Sequence, residues 1–153
     1  MILRAIIAFL ALPCVVAGLV PALIVSSDTH RGNGMAIGFV LLVAGLILLL
    51  WCVRDFFVSG RGTLAPWDPP KHLVVVGLYR FVRNPMYLAV LTIVLGWGLA
   101  TGSTFLALYL FALGVAFHLR VVLYEEPRLR QQFDAEYKAY VATVPRWLPR
   151  LKS

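Results

Sequence analysis

Long apolar blocks alternate with short polar stretches along the chain. The first block runs from about Ala5 to Val25 and is long enough to cross a bilayer as a helix. Pro13 and Pro21 fall inside it, which membrane helices tolerate better than soluble ones. Arg4 ahead of an apolar run also fits a cleaved signal peptide. The run is long for one, however, and a polar cleavage region is missing. The polar stretch Ser26–Gly34 reads as a turn. A second block, Met35 to Val53, carries no charge and ends on the interfacial aromatic Trp51, with Arg54 and Asp55 just beyond.

The segment from Ser59 to about Arg83 holds Gly60, Gly62, Pro66, Pro69 and Pro70 and reads as loop at its start. Its second half, Leu73 to Val82, is again apolar. Met86 to Ala100 is a third block, about 22 Å as a helix and short for a full span. The uncharged Thr101–Thr104 joins it to a fourth block, Phe105 to Tyr124, which contains His118 and Arg120. The third and fourth blocks read as a helical hairpin. After Tyr124 the pattern changes: Leu129, Phe133, Tyr137, Tyr140, Val141 and Val144 recur at helical spacing among polar residues. This predicts an amphipathic helix on the inner membrane surface or capping the bundle, ended by Pro145, Trp147 and Pro149. The expected fold is all-α: one polytopic membrane bundle of about four transmembrane helices with a C-terminal amphipathic helix on the cytoplasmic side.

Composition supports the membrane reading. Of 153 residues, 61% are hydrophobic and 14% charged, and the mean hydropathy is +0.85. A soluble fold of this size would expose much of that apolar surface. The same numbers exclude a disordered chain. Two cysteines exclude a disulfide scaffold, and Cys14 and Cys52, both within apolar runs, read as small buried hydrophobes. The net charge of +7 adds orientation. Arg31 is the only Lys or Arg outside the proposed inner segments, which places both termini and the Ser59–Arg83 segment in the cytoplasm, in the cell membrane. In this setting the surplus charge points to an anionic lipid surface, an acidic headgroup or a cofactor, rather than to nucleic acid.

Few residues are placed to carry chemistry. Gly32-Asn33-Gly34 and Gly60-Arg61-Gly62 neither follow a strand nor open a phosphate-binding helix. His30, His72 and His118 are scattered without metal-ligand spacing, and no nucleophile elbow is present. Two clusters remain. Gly77–Tyr87 sits at the inner mouth of the hairpin's first helix, where Asn84 suits an N-cap and Pro85 a first turn. It is either a capped helix with a basic anchor or, with Arg83, a site for a carboxylate. Glu125-Glu126 lies at the inner end of the second helix, and two adjacent carboxylates at a helix C-terminus oppose its dipole. The pair is either solvated charge matched to Arg80, Arg83 or Arg128, or a holder of a cationic or polyhydroxyl ligand. A four-residue turn joins the two helices, so the clusters are expected to meet. A basic, amide-bearing wall facing an acidic one suits a zwitterion such as S-adenosylmethionine.

Leu73-Val74, Gly77-Leu78-Tyr79, Arg83-Asn84-Pro85-Met86-Tyr87, Glu125-Glu126-Pro127-Arg128-Leu129, Phe133, Glu136-Tyr137, Tyr140 and Val144-Pro145 follow in an order and spacing that resembles the isoprenylcysteine carboxyl methyltransferase and phospholipid methyltransferase superfamily. The likeness covers about residues 60–149. It implies a single membrane domain over 1–153, with two spans in 1–58 and a methyltransferase-like region in 59–149. It also implies S-adenosylmethionine as cofactor and a lipophilic methyl acceptor in the bilayer. In that family the Arg-His-Pro-x-Tyr and Glu-Glu motifs form the cofactor site. Carried over, Arg83, Pro85, Tyr87, Glu125 and Glu126 match, and Asn84 stands in place of the frequent His. Tyr79 matches the tyrosine of the preceding Gly-x-Tyr element, and Tyr137 and Tyr140 match tail aromatics over the cofactor. Arg83, Glu125 and Glu126 are the implied catalytic group, for an in-line displacement at the sulfonium methyl. A noncatalytic small multi-pass protein, such as a transporter or complex subunit, is the alternative. The absence of charge in the first two spans disfavours a transporter. A sterol-reductase-like enzyme fits less well, since the chain is short and has no nicotinamide fingerprint.

Overall fold

A computed structural model describes residues 13–29, 31–60 and 72–149. Every regular element among them is helical. We label α1 Val15–Ser27, α2 Ala36–Gly60, α3 Pro85–Thr101, α4 Thr104–Arg120 and α5 Glu126–Thr143. A 3₁₀ turn, Gly77–Arg80, precedes α3. Helix α2 and the run Thr104–Thr143, which is kinked at Asp134 (φ 26°), are long and apolar enough to cross a membrane, and α1 and α3 are shorter apolar helices. Exposed Phe39, Val40, Val43 and Ile47 on α2, and Phe105, Leu108 and Phe111 on α4, form faces suited to lipid. The start of the first apolar block and the Gly62–Pro70 part of the loop lie outside the described residues.

The proline inside α1 has a specific consequence. Pro21 has no N–H, so the Ala17 carbonyl lacks its usual helical donor, and in the π-helical turn over Val15–Leu19 the Val20 N–H donates to Val15 O and leaves Val16 O without one. Tyr109 O–H donates to Val16 O at 2.8 Å, and Trp97 Nε1–H donates to Ala17 O at 3.0 Å. Side chains of α3 and α4 thus supply the donors that the proline and the π turn leave missing, as hydrocarbon surroundings require.

The third and fourth blocks do form a hairpin. Gly102 closes it in the left-handed region (φ 65°), its N–H donating to Gly98 O. The most extensive packing of α3, however, is against α2. A Cβ on Gly38 would lie 2.2 Å from the Ala100 nitrogen, and one on Gly96 would lie 2.7 Å from the Leu42 nitrogen. Small residues let the two backbones touch, as is common for helices in lipid. At the closed end of the hairpin, Gly32 N–H donates to Gly102 O and Met35 N–H to Leu99 O. Ser103 Oγ–H donates to the buried Asp28 carboxylate at 2.5 Å. Gly32 and Gly34 therefore serve close chain contact.

Three sequence expectations are corrected. Cys52 is buried, but Cys14 lies on the surface. Asn84 precedes α3 yet makes no side-chain cap, because its amide is directed elsewhere. The helix carrying Glu125-Glu126 does not end there. A π-helical turn, Val121–Glu125, carries it into α5, whose first turn accepts Pro127. The expected conflict between these acids and a helix C-terminus therefore does not arise. The apolar face of the tail is buried as its spacing predicts, across a kink at Asp134: Tyr137, Tyr140 and Val144 are buried with Leu73, Leu129, Phe133 and Val141 packed around them.

Candidate active site

Helix α3 begins at Pro85, which fixes the direction of Arg83 and Asn84 just before it. Beyond α5 the chain folds back across this point. Arg83 N–H donates to Pro145 O at 2.9 Å, and the Asn84 amide donates to Arg146 O at 3.2 Å. The returning strap, Val144–Pro149, thereby delivers Arg146 and Trp147 to the mouth of the α3–α4 hairpin.

Arg83 and Glu126 meet, as the sequence led one to expect: Nη1 is 3.2 Å from Oε1, and the two side chains are only 10% and 13% exposed. Arg83 Nη1–H also donates to Tyr137 Oη at 3.3 Å. Arg146 engages both oxygens of Glu126, with Nε at 2.6 Å from Oε1 and Nη2 at 2.9 Å from Oε2. Burial alone would raise the Glu126 pKa. The hydrogen bonds from Arg146 and the charges of Arg83, Arg146 and Arg130 outweigh it and hold the carboxyl below its ordinary range. Arg83 Nε, by contrast, is buried with no hydrogen-bond partner among the described residues.

Glu125 belongs to a separate group. Arg120 Nε–H donates to its Oε1 at 2.9 Å, and the Tyr87 hydroxyl donates to the same oxygen. The Tyr87 ring packs on Phe117 with centroids 4.4 Å apart. Adjacent residues thus send their carboxylates to different arginines. Glu125 is 28% exposed, about twice Glu126. Arg80 is exposed, and Arg128 donates to Tyr124 Oη at 3.1 Å.

The tyrosines form the wall beneath. Tyr140 O–H donates to Tyr79 O at 2.6 Å, and the Tyr137 and Tyr140 rings meet edge-on. Burial pushes the Tyr140 phenol up, so it stays protonated and a donor. Of the nine residues singled out from the sequence, Tyr79, Arg83, Asn84, Glu126, Tyr137 and Tyr140 are joined through the strap and α5, Pro85 opens α3 beside them, and Tyr87 with Glu125 forms the second group. Arg120, Arg146 and Trp147 were not foreseen. Trp147 Nε1–H donates to His118 Nδ1 at 3.2 Å, and His118 also borders an apolar groove lined by Leu88, Leu91, Leu95, Phe111, Val115 and Leu119.

The profile of the phospholipid methyltransferase family matches residues 33–136, more than half the chain. The chain belongs to that family. It is also 28% identical over 117 residues to the nickel-cobalt-cadmium resistance protein NccN of Alcaligenes xylosoxydans xylosoxydans, an alignment covering 76% of this chain and 50% of that protein. The chain spans about half the length of this curated relative. No solved structure matches. Arg83, Asn84, Tyr87, Glu125 and Glu126 lie within the family match, whereas Tyr137, Tyr140, Arg146 and Trp147 lie beyond it.

Proposed function

We propose that the chain is an integral membrane methyltransferase that uses S-adenosylmethionine and acts on a lipid or lipidated acceptor. The methyl-accepting group is an isoprenylcysteine-like carboxylate or a phospholipid amine. Family membership supports methyl transfer as the reaction class. The observation that carries the cofactor reading is Arg83, whose Nη1 is fixed by Glu126 and Tyr137 while its buried Nε has no partner among the described residues. A buried, unspent guanidinium donor calls for an anion, and the cofactor's carboxylate is one. The residues present thus fit the group.

In this reading Arg83 and the amide of Asn84 line the carboxylate end, Pro85 sets their approach, and Tyr79, Tyr137 and Tyr140 form the wall. S-adenosylmethionine supplies, when bound, an electrophilic methyl group. The chain's contribution is alignment and exclusion of water. A carboxylate acceptor needs no base. An amine acceptor must lose a proton, and the two glutamates are unequal for that task. Glu126 has both oxygens on Arg146, whereas Glu125 is more exposed and held through one oxygen by Tyr87 and Arg120. Glu125 is therefore the proton acceptor in an amine reaction. The apolar groove between α3 and α4 gives the hydrophobic part of the acceptor a path from the bilayer.

The proposed topology is four crossings, by α1 to α4, with both termini and the site on the cytoplasmic side of the cell membrane. Arg31 as the lone cation on the opposite side supports it. The test is transfer of a labelled methyl group from S-adenosylmethionine into lipid and protein extracts, resolved by mass spectrometry. Label in a lipid or lipidated fraction is expected. Its absence, with a folded sample, would favour a noncatalytic multi-pass protein.

A further inference from the structure

Glu126 touches two guanidiniums, and the division between them is unequal. Arg146 forms two bonds, one to each carboxylate oxygen, while Arg83 makes a single contact at 3.2 Å. A guanidinium facing a buried carboxylate alone would turn its Nε–Nη edge onto both oxygens, the paired geometry that arginine favours. Arg83 does not do so here, because Arg146 already occupies that position. The result is an Arg83 with its Nε buried and unspent.

Arg146 is itself held by the entrance of α3. Asn84 donates to its carbonyl, and the neighbouring Pro145 carbonyl accepts from Arg83 N–H. This assigns the Asn84 amide a task that helix capping does not.

We propose that Arg146 is a positioning residue for ligand recognition: by saturating Glu126 it keeps the Nε edge of Arg83 available for the carboxylate of the bound cofactor. Glu126 is accordingly a buttress between two arginines and not a direct holder of a cationic ligand group. The inference rests on the cofactor reading given above, but it concerns a residue outside the family match.

The test compares two ligands that share an adenosine-thioether portion and differ in the carboxylate. S-adenosylhomocysteine carries it, and 5′-methylthioadenosine lacks it. Calorimetry on detergent-purified protein gives both dissociation constants for wild type, Arg146→Gln and Arg146→Lys. In Arg146→Gln, Arg83 turns onto Glu126, so S-adenosylhomocysteine is expected to weaken roughly tenfold or more. Binding of 5′-methylthioadenosine stays within about twofold of wild type on the same energy scale. Arg146→Lys removes one of the paired bonds and should give a smaller loss confined to S-adenosylhomocysteine. It carries the test should the glutamine variant not fold. Adding Glu126→Gln to either variant is expected to restore part of the affinity, because Arg83 then has no buried charge to turn toward. Equal weakening of both ligands, or no weakening of S-adenosylhomocysteine, overturns the inference alone. Failure of folded wild type to bind either ligand overturns the cofactor reading and this inference with it.

Discussion

The seam between α2 and α3 and the junction between α4 and α5 hold the chain together by opposite means. In the seam Gly38, Gly45 and Gly96 bring backbone against backbone. At the junction Arg83, Arg120 and Arg146 share Glu125 and Glu126. Lipid offers no hydrophobic drive between helices, so contact in the seam depends on absent side chains. The junction is poor in stabilising value, because burying ions costs as much as their pairing returns. What it provides is placement: each carboxylate and guanidinium is fixed by another, and one donor is left over. The seam is thus read as the scaffold and the junction as the working part, and each is open to its own perturbation.

The largest effect is expected in the seam. In Gly96→Leu the new Cβ would meet the Leu42 nitrogen at 2.7 Å and the Gly38 carbonyl oxygen at 2.8 Å, backbone atoms that cannot yield locally. A loss of at least about 2 kcal/mol is expected, with a lower melting temperature in detergent. A wild-type melt would show that the helices are not in such contact. Next in size is Arg83→Ala. It removes the unspent donor but leaves Glu126 bonded to Arg146, so affinity for S-adenosylhomocysteine should fall roughly ten- to a hundredfold while the melt moves little. A collapse of the fold instead would make Arg83 part of the scaffold.

The two glutamates sharpen the contrast within the junction. Glu125→Gln should lower turnover of an amine acceptor and leave that of a carboxylate acceptor nearly unchanged. Equal losses for both acceptors would remove Glu125 from proton transfer. The smallest effect concerns pH. The folded-state pKa of Glu126 is lowered, so its stabilising contribution is complete above the ordinary value of 4.5 and is lost only as pH falls through the depressed one. Ligand affinity at pH 5 should therefore match that at pH 7 as far as this group is concerned. Loss between those values would mean that the Arg146 pair is not formed.

Much of this was visible in the residue pattern. The apolar blocks located α2 to α4, and the spacing of Leu129, Phe133, Tyr137 and Tyr140 located the buried face of α5. The meeting of Arg83 with Glu126 followed from a short turn between two helices. Arg146 was not legible, because the strap that delivers it is irregular and its contacts are with residues far away in the chain. The continuation of α4 into α5 could have been suspected: nothing between Arg120 and Glu126 breaks a helix, and Pro127 is acceptable in a first turn. The glycines at 38, 45 and 96 gave no signal by type alone. Their role depends on the opposing backbone, which a single sequence does not display.

On the proposed function, the junction is built around a cofactor carboxylate. Titration of S-adenosylhomocysteine into folded, detergent-purified protein tests it most directly, with Arg83→Ala run alongside. Saturable one-to-one binding that weakens roughly ten- to a hundredfold in Arg83→Ala is the expected result. Absence of binding to wild type, or equal binding to both proteins, would contradict it.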